Sequence, residues 1–307
     1  MNRSIYVLGS INYDLMISTS RMPQQGETIA GYDYFEAIGG KGGNQAASSA
    51  RLGAPTYLIG SVGRDYHGQQ SLDALQAMGV DTHHVEISDN EHTGTAFIIK
   101  SSHDNRIIIN QGANSNVSTQ RINESITGEA GDLFLTQFEV PLYAVYEGLK
   151  ISKSREMITV VNPAPAVVMD SKFYPLIDYL VVNQSESEIL TGVMPYTMED
   201  CQEAFKILSD NGVKNCVFTL GSDGSIFMSK DKAFKTEAYS VDVVDTTGAG
   251  DTFIGAMMYG LSKGWDLEKV MQYASGAGAC ACTKHGAQEG IPTFLELESF
   301  IKEKENE

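Results

Sequence analysis

Positive charge is scarce in this sequence. Its 22 Lys and Arg stand against 39 Asp and Glu, a formal net charge of −17. That balance argues against nonspecific nucleic-acid binding and against anionic membrane surfaces as partners. An anionic ligand must therefore find local positive potential in backbone N–H groups, a few basic side chains or bound cations. Long apolar runs are missing too: after Met1–Ser4 comes only Ile5-Tyr-Val-Leu8, too short for a secretory core or a membrane span. Cysteine is limited to Cys201, Cys216, Cys280 and Cys282. Cys280-Ala-Cys282 lacks a second Cys/His pair to complete a zinc site, so reduced thiols in a cytoplasmic protein are expected. The histidines are scattered, and only His285 falls near the stretches that carry chemistry. No Pro/Gly/Ser linker divides the chain and no internal repeat is present, which predicts one domain over residues 1–307 with an accessory lid.

What is present centres on Val241-Asp-Val-Val-Asp-Thr-Thr-Gly-Ala-Gly-Asp-Thr-Phe-Ile-Gly255. The alternating valines read as a strand. Gly248, Ala249 and Gly250 form a small-residue bend, and Ile254, Met257, Met258 and Leu261 recur at helical spacing behind it. The first N–H groups of such a helix lack intrahelical partners and lie at the positive end of its dipole, an arrangement suited to an anion. Asp251 adds a carboxylate in the first turn. A bound phosphate beside a proton acceptor is the minimum apparatus for phosphoryl transfer to a hydroxyl. By itself the stretch is equally explained as a strand–helix turn in which Asp251 favours the dipole.

Elsewhere the chain supplies context. Ile5–Ile11 reads as a first buried strand ending at Gly9, followed by Asn12 and Asp14, which an extended chain aims at one face. Leu15–Thr19 and Glu27–Tyr34 read as a hairpin, and Thr95–Lys100 with Arg106–Asn110 as a second, joined by a loop at 101–105. Together they would build a small sheet within about 14–36 and 95–110, serving as a lid or a dimer interface. Gly39-Gly-Lys-Gly-Gly-Asn44 opens a helix of small residues, with Lys41 and Asn44 as donors. Neither nucleotide fingerprint fits it: Phe35 stands where a P-loop needs its first glycine, and Gln45 where a dinucleotide fold needs its third. From Asp132 onward, strand candidates Leu133–Thr136, Met157–Val161, Tyr179–Val182 and Asn215–Leu220 alternate with helices such as Leu142–Ile151 and Met198–Leu208. That rhythm predicts a mostly parallel sheet with helices on both faces. Glu139, Asn162, Asn183, Glu186, Thr219 and Gly221 then fall at the carboxyl ends of strands, where such folds build their sites.

Seven stretches in order carry a resemblance over essentially the whole chain: Gly9-Ser-Ile-Asn-Tyr-Asp14, Gly39–Ala46, Gly112-Ala-Asn114, Asn162-Pro-Ala-Pro165, Asn183-Gln-Ser-Glu186, Thr219–Gly224 and Asp245–Phe253. The chain resembles the ribokinase–PfkB family of carbohydrate kinases. The resemblance implies a three-layer α/β/α sandwich with a mostly parallel central sheet and a small β-sheet lid. It implies ATP-dependent phosphorylation of D-ribose at its 5-hydroxyl, with Asp251 as general base and an anion hole at Gly248, Ala249 and Gly250. Asn12, Asp14, Gly40, Lys41, Asn44 and Glu139 would bind the sugar. Asn183 and Glu186 would organise Mg²⁺ and phosphate. Thr219, Gly221, Ser222, Asp223 and Gly224 would border the nucleotide, with Gly250 at its phosphates and Ser275 near the adenine. A monovalent-cation site, K⁺ by type, would draw on Asp245, Thr247, Ala281, Lys284, Gly286 and Gly290. Glu289-Gly290 departs from the commoner pair there and offers no serine hydroxyl. The family also implies a homodimer through the lid.

Two rivals stand beside this reading. One is a kinase for another furanose-type acceptor (2-deoxyribose, fructose or a nucleoside). The other, from a different class, is a non-catalytic sugar sensor on the same fold, which would have no need of the base or the anion hole.

Overall fold

Apolar side chains alternating with period two project to opposite faces of a strand, and here both faces are covered. In the computed structural model, which describes residues 3–101 and 104–306 (side chains of 104 and 105 excepted), the first half holds strands Ile5–Leu8 (β1), Asn12–Ser18 (β2), Tyr32–Gly39 (β3), Thr56–Gly63 (β4), Val85–Ser88 (β5), Gly94–Ser101 (β6) and Asp104–Asn110 (β7). The second half holds Leu133–Gln137 (β8), Ile158–Asn162 (β9), Tyr179–Asn183 (β10), Asn215–Thr219 (β11), Ser225–Ser229 (β12) and Ala233–Thr236 (β13). Ile5, Val7, Leu133 and Leu135 join one buried cluster, while Tyr6, Leu8 and Phe134 join another across the sheet. Helices therefore pack on both faces: Lys41–Arg51 (α1), Tyr66–Ala77 (α2), Thr119–Ser125 (α3), Leu142–Ser154 (α4), Gln184–Thr191 (α5), Met198–Asp210 (α6), Ala249–Ser262 (α7), Leu267–Ala281 (α8) and Phe294–Lys304 (α9).

The large sheet runs β13-β12-β11-β10-β9-β8-β1-β4-β5, and all its neighbouring pairs are parallel except those made by β12 and β13. Strand order reverses about β1, where α/β sheets open a crevice at their carboxyl ends. A second sheet, β3-β2-β6-β7, branches off directly after β1, so Asn12 and Asp14 lie on its first central strand, next to the crevice. The expected two-hairpin lid is present with different bounds. The strand expected at Glu27–Tyr34 is Tyr32–Gly39, because β2 pairs along that length, Asn12 opposite Gly39 and Ser18 opposite Tyr32. The hairpin loop expected at 101–105 lies partly outside the described residues, as does His103.

One expectation is corrected. The valines at 241–244 form no strand. The edge next to β12 is already taken by β13, and the segment crosses the ends of the helices instead, tied by Val244 N–H and Asp245 N–H to Cys282 O at 2.8 and 3.3 Å. Val243 stays 62% exposed; it and Val241 line a cavity wall.

Candidate active site

Two buried helices, the first rich in small residues, create the centre of the site. Every residue from Gly42 to Ala50 on α1 is buried, as is every residue from Asp251 to Ser262 on α7. A Cβ added at Gly255 would come within 2.3 Å of Ser48 Cβ, so the glycine is what lets the two helices approach. Ser48 and Ser49 hydroxyls then bond Thr252 O and Gly255 O at 2.9 and 3.1 Å. The contact brings both amino termini together and sets Asn44 and Gln45 against Asp251. Asn44 Nδ2 donates to Asp251 Oδ2 at 3.0 Å and Gln45 Nε2 to Oδ1 at 2.9 Å.

The turn before α1 is equally constrained. Gly40 has φ +85°, and a Cβ there would lie 2.7 Å from Asn12 N, so only glycine lets the chain cross the end of β1 here. Glu139, just past β8, pins it: Glu139 Oε2 accepts from Ser10 Oγ at 2.5 Å and from Lys41 N–H at 3.0 Å. Asn12 is buried and its Oδ1 accepts from Asn114 Nδ2 at 2.8 Å, while Ile11 N–H donates to Asn114 Oδ1 at 2.9 Å. The Asp14 carboxyl lies over Gly39, 2.3 Å from where a Cβ would be.

Burial, with Glu139 and Asp251 nearby, pushes the Asp14 carboxyl up to about 7. The sign follows. Between its ordinary range and about 7 the folded protein holds a proton that the unfolded chain has released, so Asp14 costs stability increasingly as pH rises through that window. Asp14→Asn is expected to raise Tm by several degrees at pH 8, with the gain vanishing below about pH 4, in melting curves across pH. A carboxylate gripping sugar hydroxyls must be ionised, so wild-type sugar affinity should weaken by about tenfold from pH 8 to pH 6, measured by calorimetry. A pH-independent affinity would rule out the ionised form as the binding one.

Lys41 opens α1. With Asn162, Asn183, Glu186, Gly250 and Asp251 it lines a cavity of about 140 Å³. Asp251 chiefly holds its ammonium above the ordinary lysine range, with Glu139 and Glu186 adding to this against the opposing effect of burial. Asn183 and Glu186 prove to be the capping box of α5: Asn183 Oδ1 accepts from Glu186 N–H at 2.8 Å, and Glu186 Oε2 from Asn183 N–H at 2.9 Å. Burial raises the Glu186 carboxyl, and the box leaves its other oxygen for the cavity. That donor set fits a Mg²⁺ that keeps most of its waters.

Gly248 caps α7 at φ +75° with no side-chain cap. Of the three expected anion-hole donors, Ala249 N–H already bonds Thr246 O at 3.2 Å, so it reaches an anion only by sharing or releasing that turn bond. Beyond the cradle lies a larger cavity of about 720 Å³. Thr219, Gly221, Ser222, Gly224, Gly250 and Ser275 line it as expected, together with Val241, Val243 and Phe253. Asp223 is exposed and does not line it, nor does the exposed His285. Ser275 Oγ is spent on Glu237 O at 2.9 Å.

The proposed cation ligands gather behind this loop. Burial opposes ionisation of Asp245, but Thr247 Oγ1 and N–H at 2.6 and 2.9 Å and Gly286 N–H at 3.3 Å draw its carboxyl below the usual range. Gly290 packs on Ala281, whose carbonyl oxygen would be 2.5 Å from an added Cβ. Lys284 is exposed, leaving only its carbonyl for such a site. Oxygen donors of this kind suit a large monovalent cation. Lys100 Nζ of the lid already sits 3.7 Å from Asp245 Oδ2, so this carboxylate does face a positive charge.

The sequence reading missed three glutamines. Gln45 was seen as part of a motif and given no role. Gln137 closes β8 and donates to Gln45 Oε1 at 2.5 Å; Gln288 donates to Asn44 Oδ1 at 3.0 Å. A strand-end position marked Gln137, but nothing local marked Gln288, whose partner is 244 residues away in sequence.

A mostly parallel sheet, a buried carboxylate and a glycine-capped helix start beside a cavity of about 720 Å³ are the parts a small-molecule kinase needs. Comparison places it further. Residues 2–294 match the model of the pfkB family carbohydrate kinases. The chain is 36% identical over 304 residues to a ribokinase of Haemophilus influenzae, covering 98% of this chain and 99% of that one. It is 32% identical to a deoxyribokinase of Salmonella typhimurium, covering 97% and 98%. The solved Arabidopsis thaliana ribokinase complexed with ribose and ATP superposes with a TM-score of 0.91 at 30% identity, over 98% and 99% of the two chains. The chain belongs to the pfkB family of carbohydrate kinases.

Proposed function

We propose that this kinase transfers the γ-phosphoryl group of ATP to O5 of D-ribose. The observation that carries the reading is Asp251: buried, held at both oxygens by side-chain amides, and one helical turn from the Gly248 cap. Asn12 and Asp14 grip adjacent ring hydroxyls, and Asn44 and Glu139 complete the sugar side. Asp251 takes the O5 proton as the O5–phosphorus bond forms and the bond to the ADP oxygen breaks. The cradle N–H groups and Lys41 stabilise charge on the moving phosphoryl group, and transfer of this kind depends mainly on positioning and electrostatics. Mg²⁺, held through water by Glu186 and Asn183, would neutralise the nucleotide phosphates. Asp245, Thr247 and the 281–290 carbonyls would hold K⁺, and exchanging K⁺ for Na⁺ is expected to lower kcat several-fold; an indifferent enzyme would remove the cation site.

The test is a panel of sugars in a coupled ADP-release assay. Ribose should give the highest kcat/KM. The similar identity to a deoxyribokinase makes 2-deoxyribose the second reading, and a much higher kcat/KM for it would replace ribose as substrate.

The domain is read as one kinase body, 1–307, with a lid that also dimerises, in a reducing, cytoplasmic setting that suits four free cysteines. Register supports the dimer. Leu15, Phe97 and Ile108 stand opposite one another across β2, β6 and β7, on the face turned away from Asp14. Phe97 and Ile108 are 45% and 63% exposed, an apolar face that a second lid would cover. Phe97→Glu with Ile108→Lys is expected to yield monomers in light scattering. An unchanged dimer would place the interface elsewhere, and a monomeric wild type would end the reading.

A further inference from the structure

Asp251 is oriented by a chain of buried amides that reaches beyond any substrate contact. Gln45 and Gln137 are fully buried, and Asn162 and Asp251 nearly so. A carboxylate only accepts, so Gln45 must turn its Nε2 toward Asp251 Oδ1. Its Oε1 then points away into the protein and needs a donor, which Gln137 Nε2 supplies at 2.5 Å. Asn162 Oδ1 accepts from the same Gln45 Nε2 at 3.2 Å, with its own amide fixed by Nδ2 donating to Val181 O at 3.1 Å. The chain ends on an orphan: Gln137 Oε1 is buried with no partner among the described residues. An unmade buried hydrogen bond is destabilising, and a methionine would fill the same volume without it. What only the glutamine supplies is an N–H aimed at Gln45.

We propose that Gln137 is a positioning residue for the base: through Gln45 it fixes which atom faces Asp251, and so fixes the carboxylate's aim at the acceptor hydroxyl. The inference rests on the reading of Asp251 as base. It makes a prediction opposite to that of a space-filling role. Gln137→Glu is nearly isosteric and, ionised at alkaline pH, only accepts, so Gln45 must then rotate to donate to it, turning Oε1 toward Asp251 Oδ1. Gln137→Met removes the donor without forcing the rotation.

The experiment is steady-state kinetics with ribose and ATP on both variants, alone and in Asp251→Asn, with ribose affinity from calorimetry. Gln137→Met is expected to lower kcat about tenfold and Gln137→Glu about a hundredfold, the scale of a misplaced reacting group. Ribose Kd should stay within about twofold in both, and in Asp251→Asn neither should lower kcat further. Wild-type kcat in Gln137→Met overturns the proposal even if Gln137→Glu fails to fold. So does a Gln137→Glu enzyme faster than Gln137→Met, or losses that multiply in Asp251→Asn. Full turnover by Asp251→Asn would instead sink the base assignment itself, a separate failure.

Discussion

Asp251→Asn is expected to lose turnover by about 10²–10⁴-fold, the usual contribution of a positioned general base, while ribose affinity falls by less than about tenfold. The asymmetry follows from what the carboxylate touches. Its two oxygens accept from Asn44 Nδ2 and Gln45 Nε2, and an asparagine retains one acceptor and turns a donor to the other amide. One neighbour must shift, Asn44 or Gln45. Asn12 and Glu139 are held by separate partners, so most of the proposed sugar site should persist. The proton, by contrast, has no alternative acceptor of the same placement. Coupled ADP release and calorimetry on the same preparation separate the two effects. A sensor that merely binds sugar would show no turnover in the wild type either, and a fully active Asp251→Asn would remove the mechanism.

The βα rhythm was legible because buried strands and amphipathic helices carry their own periodicity. Leu133–Gln137 and Tyr179–Asn183 were found to within a residue or two for that reason. The small-residue helix α1 was legible as a close-packed element, though not its partner: that Gly255 admits Ser48 is a property of two surfaces. The valines at 241–244 misled because alternation reports apolar spacing, which a cavity wall shares with a strand. β5 and β13, of four residues each, are too short to show a period. At the site, Asp251, Asp14 and Lys41 stood out as charge amid glycine. Gln137 had only its strand-end position to mark it and Gln288 had nothing, since a glutamine inside a core looks, in sequence, like any surface glutamine. Asn183 and Glu186 show the converse: a spacing that the family resemblance ties to Mg²⁺ and phosphate is, in the structure, the capping box of a helix.

Gly248→Ala is expected to cost both chemistry and stability, and the pair of losses identifies the cradle. Gly248 has φ +75°, and an added Cβ would lie 2.6 Å from Ala287 O and 2.7 Å from its Cα. Those are backbone atoms, so no rotamer change relieves the contact. Holding a non-glycine residue in this region costs on the order of 1–3 kcal/mol. Relief requires moving either the 248–250 N–H groups or the 287–288 backbone. The second is tied to the base, because Gln288 Nε2 donates to Asn44 Oδ1 and Asn44 in turn to Asp251. The first displacement takes a donor away from the proposed position of developing charge, where loss of one such donor lowers kcat by about 10²–10³, and the second shifts Asn44 against Asp251. Gly250→Ala is the contrast. It has an ordinary φ and nothing within 4 Å of its added Cβ, and it borders the nucleotide cavity. It should melt like the wild type and raise the KM for ATP. Equal stability of the two variants would remove the strain at Gly248, and a Gly248→Ala enzyme with wild-type kcat would show that the phosphate is held elsewhere.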